Sequence, residues 1–264
     1  MAVNFDHLIP KRHYMGLDLG KQESYAALSL LAPEMRYARR RYLWEREEEY
    51  EAEHRKQRPE LELAPSDERA PRPVFKARQV ERIPLGSRFH EVAGYIAAML
   101  ASPKLKDSEV ELVIDASGVG SAVAEILEEA GVRYFEWVSI TSGRSEGSSG
   151  RFTTVPKNDL ISTVEVAFQR REIPIPRHLS YAPELVKELE GFRQEETAAG
   201  NLVYRKKSGA YDDLIISLAL ALRAGRRGER SGPPPDESLV DTGKGLPFRG
   251  LRDDELFTIN GPVF

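Results

Sequence analysis

His13-Tyr14-Met15-Gly16-Leu17-Asp18 is an apolar run that stops on an acid. Short and bounded by a turn signal, it reads as a strand, and a strand that ends on Asp delivers a carboxylate to the end of a sheet, where ligands of α/β proteins collect. Outward from it, Gly20-Lys21-Gln22-Glu23 reads as a tight turn and Ser24-Tyr25-Ala26-Ala27-Leu28-Ser29-Leu30-Leu31 as a second short strand, which makes 13–31 an antiparallel hairpin. Two more acidic joints follow. Val110-Glu111-Leu112-Val113-Ile114-Asp115 is another strand closed by Asp, and Asp212-Asp213 opens the apolar helix Leu214 to Leu222.

The segments between these joints set the fold class. Arg36 to Leu43 reads as a third strand running into the charged stretch Glu45-Arg46-Glu47-Glu48-Glu49-Tyr50-Glu51-Ala52-Glu53, which has no apolar face. With Pro59, Pro65, Pro71 and Pro73 beyond it, 45–73 is expected to be an exposed insertion. Val74 to Ile83 reads as a strand, and Phe89, Val92, Ala93, Ile96, Ala97 and Leu100 recur at helical spacing. After Asp115, the stripe Val119, Val123, Ile126, Leu127 and Ala130 marks a helix ending at Gly131, and Val132 to Ile140 reads as a strand. Strand, helix, strand with short links is a parallel crossover. The hairpin plus this unit predicts an α/β protein with a mixed central sheet, an antiparallel hairpin joined to parallel strands, flanked by helices.

Further along, 141–152 is rich in Gly and Ser and reads as a mobile loop. Pro156 and Pro183 each open a helix, with Leu160, Ile161, Val164 and Phe168 on one and Leu185, Val186, Leu189 and Phe192 on the other. A short hairpin is expected between Phe192 and Lys207, and Leu214 to Leu222 is apolar on nearly every side, as a buried helix is. The domain is therefore placed at 1–225 and a flexible tail at 226–264, in which Leu256-Phe257-Thr258-Ile259 is a candidate docking peptide.

Composition narrows the chemistry. A chain of 264 residues can bury a sizeable core, and a formal net charge of -4 supplies no global field for a polyanion, so nucleic acid would have to be met by local basic clusters. Cysteine is absent, which removes disulfides, thiolate metal sites and cysteine nucleophiles together and leaves oxygen or imidazole to hold a metal. No stretch reaches the ~18 apolar residues of a membrane span, and a cytoplasmic location with no membrane partner is expected.

Taken singly, each acid is better explained as a helix cap or a partner of a helix dipole. Jointly they point elsewhere. If the two acid-closed strands are parallel neighbours, Asp18 and Asp115 emerge at one sheet edge, and the start of the last helix closes a triangle. Oxygen-only ligands suit Mg²⁺ or Mn²⁺, and two such ions ~4 Å apart can activate a water and stabilise the leaving oxygen of a phosphodiester.

Gly16-Leu17-Asp18-Leu19-Gly20, Leu112-Val113-Ile114-Asp115-Ala116-Ser117-Gly118-Val119-Gly120, Val155-Pro156-Lys157-Asn158-Asp159-Leu160 and Gly209-Ala210-Tyr211-Asp212-Asp213-Leu214-Ile215-Ile216-Ser217-Leu218-Ala219-Leu220 together resemble the nuclease domain of tailed-bacteriophage large terminase subunits. The resemblance covers roughly 13–224. It implies a ribonuclease H-like fold that cuts double-stranded DNA with two Mg²⁺ or Mn²⁺ ions during viral genome packaging. Carried onto this chain, its acids are Asp18, Asp115 and the pair Asp212-Asp213, with Asp213 favoured as the principal third ligand and Asp212 as its neighbour. It implies as partners a packaging ATPase domain, the small terminase subunit and the portal protein. Two departures stand out: no G-x-x-x-x-G-K-[ST] motif of the ATPase motor occurs, so the chain reads as a nuclease domain or a free-standing relative, and Tyr211 stands where the family commonly has His.

Candidate DNA contacts are Arg144 and Arg151, which bracket the Gly/Ser loop, Arg205, Lys206 and Lys207 just before the last acids, and Lys157 of the Val-Pro-Lys motif. Contacts of this kind position a phosphate backbone without reading sequence. Of the cluster Arg36, Arg39, Arg40 and Arg41, the last three lie beside the Glu run and are read as solvated or paired with it. Rival readings are an ATP-binding enzyme of the sugar-kinase and chaperone-ATPase type, from the likeness of Asp18-Leu19-Gly20-Lys21-Gln22-Glu23-Ser24 to a phosphate-binding hairpin, and a junction resolvase or transposase-like nuclease of the same fold. A docking module with a vestigial metal site is the non-enzymatic alternative.

Overall fold

The computed structural model describes residues 11–20, 24–36, 72–119, 122–143, 145–149, 152–196, 202–207 and 209–231. Strand β1 (Lys11–Asp18) pairs antiparallel with β2 (Ala26–Arg36), and β2 pairs antiparallel with β3 (Arg72–Ile83). On its other side β1 lies parallel to β4 (Ser108–Asp115), and β5 (Phe135–Thr141), β7 (Phe152–Pro156) and β6 (Gly147–Ser149) continue the sheet. The order β3-β2-β1-β4-β5-β7-β6 makes one mixed seven-stranded sheet. A separate hairpin, β8 (Phe192–Glu196) with β9 (Leu202–Lys206), stands apart from it.

Side chains alternate along each strand, so two cores form. Tyr14 on β1, Ala27 and Leu31 on β2, Val113 on β4 and Val138 on β5 face helices α3 (Lys157–Gln169), α4 (Ala182–Gly191) and α5 (Asp213–Ser231). Met15, Leu17, Leu28, Leu112 and Ile114 face the opposite way, against α1 (Phe89–Leu100) and α2 (Ala122–Glu129). By this parity Asp18 continues the row of Tyr14 and Gly16, and Asp115 the row of Val113. Both carboxylates thus fall on the α5 side of the sheet.

Helix α5 lies close on the sheet because small residues meet it. A Cβ at Gly16 would sit 1.9 Å from the Ser217 carbonyl oxygen and 2.6 Å from the Ala221 nitrogen, and one at Gly225 would strike the Phe75 ring at 2.3 Å. Only glycine permits backbones to approach so nearly. Ser29 of β2 and Ser217 of α5, both fully buried, join their hydroxyls at 2.8 Å.

The structure bears on four expectations. The Gly/Ser segment is not wholly a loop: 147–149 form an edge strand antiparallel to β7, a strand that the Gly/Ser composition of its neighbour concealed. Of the third strand expected at Arg36 to Leu43, Arg36 ends β2, and 37–43 lie outside the described residues. Of the insertion expected at 45–73, Arg72 and Pro73 open β3 and the remainder lies outside the described residues. Helix α5 runs on to Ser231, past the position 225 where the domain is expected to end. Arg226 and Arg227 there pair with Glu172 and with Glu111 and Glu136, partners too distant in sequence for a local reading to find.

Candidate metal centre at the carboxyl end of the sheet

The β1–β4 register runs from Lys11 opposite Ser108 to Asp18 opposite Asp115, so the two acids end adjacent parallel strands as direct Cα partners. Neighbouring strands lie roughly 4.8 Å apart, which sets the two carboxylates side by side. Asp213 is the first residue of α5, and the Asp212 carbonyl accepts the Ile216 amide at 2.9 Å, the first intrahelical bond. Asp18 is charge-coupled to Asp115, Asp213 and Asp212, in decreasing order. The fold thus gathers four acids from three elements.

Cations of the protein hold the two helix acids. Lys157, first residue of α3, ion-pairs with Asp212 Oδ2, and Lys206 Nζ of β9 meets Asp212 Oδ1 at 2.6 Å. Arg82, near the end of β3, donates from Nε to Asp213 Oδ2 at 2.6 Å and from Nη2 to Glu188 Oε1 at 2.5 Å. Glu188 in turn accepts the Ile215 amide of α5 at 3.0 Å. Asp115 accepts from the backbone amide and hydroxyl of Ser117 at 2.8 and 2.6 Å, and the same hydroxyl accepts the Ile140 amide at 2.7 Å. Among the described residues neither Asp18 nor Asp115 has an ion-pair partner.

Five carboxylates therefore face three cations, and the titration of the acids shows it. Burial, then Asp115, Asp213 and Asp212, push Asp18 well above the ordinary aspartate range. Burial raises Asp115 against the pull of its Ser117 bonds, and burial raises Asp213 against the pull of Arg82. Asp212 goes the other way: burial would raise it, but Lys157 and Lys206 together hold it below the usual value. Glu188 is pushed up to about 7 by burial and by Asp213, against the Ile215 amide and Arg82.

This donor set is all carboxylate oxygen, the chemistry that Mg²⁺ and Mn²⁺ prefer, and its excess negative charge is what a divalent ion relieves. Among the described residues no three His, Asp or Glu side chains are arranged to close on one ion. Asp18 and Asp115, register partners at the strand ends, are the acids of this set that no cation ion-pairs among the described residues.

Of the expected DNA contacts, Lys157 and Lys206 stand at the acids, bound to Asp212. Arg205 is exposed on β9 and pairs with Glu195 at 3.1 Å. Lys207 is exposed just beyond β9, its amide bonded to the Gly191 carbonyl. Arg144 and Arg151 lie outside the described residues, as do Arg39, Arg40 and Arg41. Sequence reasoning passed over Arg82, Glu188 and Tyr25. The readable signal was Glu188, an acid among Leu185, Leu189 and Phe192 on the apolar side of a helix.

A mixed sheet of this order, with carboxylates at the ends of its first and fourth strands and a helix start closing on them, is a ribonuclease H-like α/β fold. In sequence the chain is similar to two terminase large subunits. Those of Thermus phage G20c and Thermus virus P23-45 are each 33% identical to it over 110 residues, 42% of this chain and 19% of theirs. The chain thus spans about a fifth of the length of the curated relatives it matches. Among solved structures, the large terminase nuclease of thermophilic phage G20c with bound magnesium is similar at 21% identity and a TM-score of 0.48, over 81% of each chain. The large terminase nuclease domain of bacteriophage SPP1 with bound manganese is similar at 12% identity and a TM-score of 0.44, over 81% of this chain and 86% of that one. No family model matches the chain.

Proposed function

We propose that this domain is a metal-dependent endonuclease that cleaves double-stranded DNA during phage genome packaging, with Asp18, Asp115 and Asp213 holding two Mg²⁺ or Mn²⁺ ions. The observation that carries the reading is the in-register pairing of Asp18 with Asp115 on parallel strands, with the acids at the start of α5 repelling Asp18 and carboxylates in excess over cations. The G20c and SPP1 terminase nucleases hold magnesium and manganese respectively, and the curated relatives are terminase large subunits, which supports the same assignment. Ions at such a site supply an activated water on one side of a phosphodiester and charge stabilisation of the leaving oxygen on the other.

The chain's own residues do the rest. Ser117 fixes the Asp115 carboxylate by two hydrogen bonds, so it is oriented before an ion arrives. Asp212 gathers Lys157 and Lys206 beside the acids, where their ammonium groups can meet phosphate oxygens. Arg205 and Lys207 extend that basic edge along the hairpin. In this reading the nuclease domain takes in α5 through Ser231. Its partners are duplex DNA, a packaging ATPase domain, the small terminase subunit and the portal protein. Among the described residues no helix is long and apolar enough to cross a membrane.

Supercoiled plasmid incubated with the protein and Mn²⁺ is expected to be nicked and linearised, with cleavage abolished by chelator. Asp18→Asn and Asp115→Asn should each be inactive at every Mn²⁺ concentration. Variants that cut as well as the parent would remove these acids from the site. Equal or faster cleavage of branched DNA than of plain duplex would favour the junction-resolvase reading, and ATP turnover without cleavage the kinase-like one.

A further inference from the structure

Asp18 and Asp115 are fixed by the ladder of the sheet, whereas Asp213 opens a helix and needs a holder of its own. That holder is Arg82. Its guanidinium lies 4.8 Å from the Tyr25 ring centroid and 4.7 Å from that of Tyr211, against one side of a pair of rings that meet edge to face at 5.3 Å. While stacked there it donates to Asp213 Oδ2 and to Glu188 Oε1, and its side chain is 12% exposed. Glu188, itself 4% exposed, takes the Ile215 amide on its second oxygen. One carboxylate therefore sets both the first turn of α5 and the guanidinium that sets Asp213. The groups come from β3, from the residue just before β2, from α4 and from the residue two before α5.

We infer that Arg82 is a positioning residue for metal binding: packed against Tyr25 and Tyr211 and braced by Glu188, it ties one oxygen of Asp213 and leaves the other for an ion. This rests on the metal-dependent reading of the site. The geometry separates the role from simple charge balance. As a nearby positive charge Arg82 opposes a cation, so if charge were its only contribution its loss would tighten ion binding. If it positions Asp213, its loss loosens binding, and lysine cannot substitute, because an ammonium lacks the fork that reaches two carboxylates and the planar face that packs on the rings. Tyr211 then has a task at the position where the terminase motif commonly carries His: it is one of the two ring walls on which the guanidinium rests.

The test is direct titration of Mn²⁺ into the full chain without DNA, following free Mn²⁺ by electron paramagnetic resonance, with the unfolding midpoint of each metal-free variant recorded alongside. Arg82→Lys and Arg82→Gln should both bind Mn²⁺ about tenfold or more weakly, the scale on which residues orienting a metal ligand are felt. Tyr211→Leu should weaken binding in the same direction and Tyr211→Phe should restore it, since the ring rather than the hydroxyl forms the wall. Arg82 variants that bind Mn²⁺ as tightly as the parent, or more tightly, overturn the inference. Should the Arg82 variants fail to fold, the Tyr211 pair decides, because Tyr211 is 46% exposed and outside the core. Equal affinity of its Leu and Phe variants would then be the overturning result. A parent that binds Mn²⁺ but leaves DNA uncut sinks the nuclease reading while the affinities still judge Arg82; a parent that binds no Mn²⁺ sinks both.

Discussion

Asp18 is harder to ionise in the folded chain than in the unfolded one, because burial and three neighbouring acids raise it well above the ordinary value of 3.8. The folded state therefore holds its proton more tightly. Stability from this group is fully present below the ordinary value, falls as pH rises toward the raised one, and stays low above it. Asp115 and Asp213 act in the same direction and Asp212 in the opposite one. In chelator, the thermal midpoint should accordingly decline as pH rises out of the carboxylate range, and Mn²⁺ should flatten the decline. Asp18→Asn should abolish cleavage yet raise the metal-free midpoint at neutral pH, by about 2–4 °C for each ~1 kcal/mol of repulsion removed. A chelated Asp18→Asn protein that melts with the parent at every pH would show that the acids do not strain one another. At this scale the acids were legible in the sequence because each closes a strand or opens a helix. Arg82 and Glu188 were not, since they are 106 positions apart and only the folded chain makes the one explain the other.

The contact of β2 with α5 turns on two hydroxyls. Ser217 donates to the Leu214 carbonyl at 2.9 Å, so the 2.8 Å bond between the serines uses the Ser29 proton. Ser29→Ala therefore leaves Ser217 a partner and should cost about 1 kcal/mol, whereas Ser217→Ala strands the buried Ser29 hydroxyl and should cost about 1–3 kcal/mol. The double variant should cost less than the two single changes together, a coupling that urea denaturation of all four proteins measures; strict additivity would mean the bond contributes nothing. Gly16→Ala should be worse than either, at or above the ~1–3 kcal/mol of ordinary overpacking, because the added carbon meets backbone that cannot rotate away. Helical elements were legible where apolar residues recur at three and four, as in α1 and in the first turns of α5. Strands β6 and β7 were not, because the Gly and Ser that suggest a loop also suit a short edge strand, and only pairing with β5 and β7 decides the matter.

Strand order belongs to the whole molecule, and that is where local reading stops. The sequence made the site conditional on two strands being parallel neighbours. Pairing of β1 with β4 meets the condition because β2 and β3 build outward on one side of β1, leaving its other edge for the chain that returns through α1. The end of the domain is a long-range matter too. Locally, Arg-Arg-Gly-Glu-Arg reads as a solvated tail, but Arg226 meets Glu172 at 2.7 Å, Arg227 pairs with Glu111 and Glu136, and Gly228 lies against the Tyr14 hydroxyl. A chain ended at Gly225 should therefore be less stable than one ended at Ser231. Partly exposed ion pairs contribute only ~0–1 kcal/mol each, so most of the loss comes from uncovering Tyr14, which is 2% exposed and large. Together they suggest about 2–4 kcal/mol, or roughly 5–15 °C in midpoint. Gly225 lies about 18 Å along the helix from Asp213 at 1.5 Å per residue, so the shorter chain should still bind Mn²⁺ below its own melting temperature. Calorimetric scans of the two truncated proteins, each with and without Mn²⁺, test both statements. Equal midpoints would return the boundary to Gly225, and loss of Mn²⁺ binding in a folded 1–225 chain would mean that the last turns of α5 reach the site.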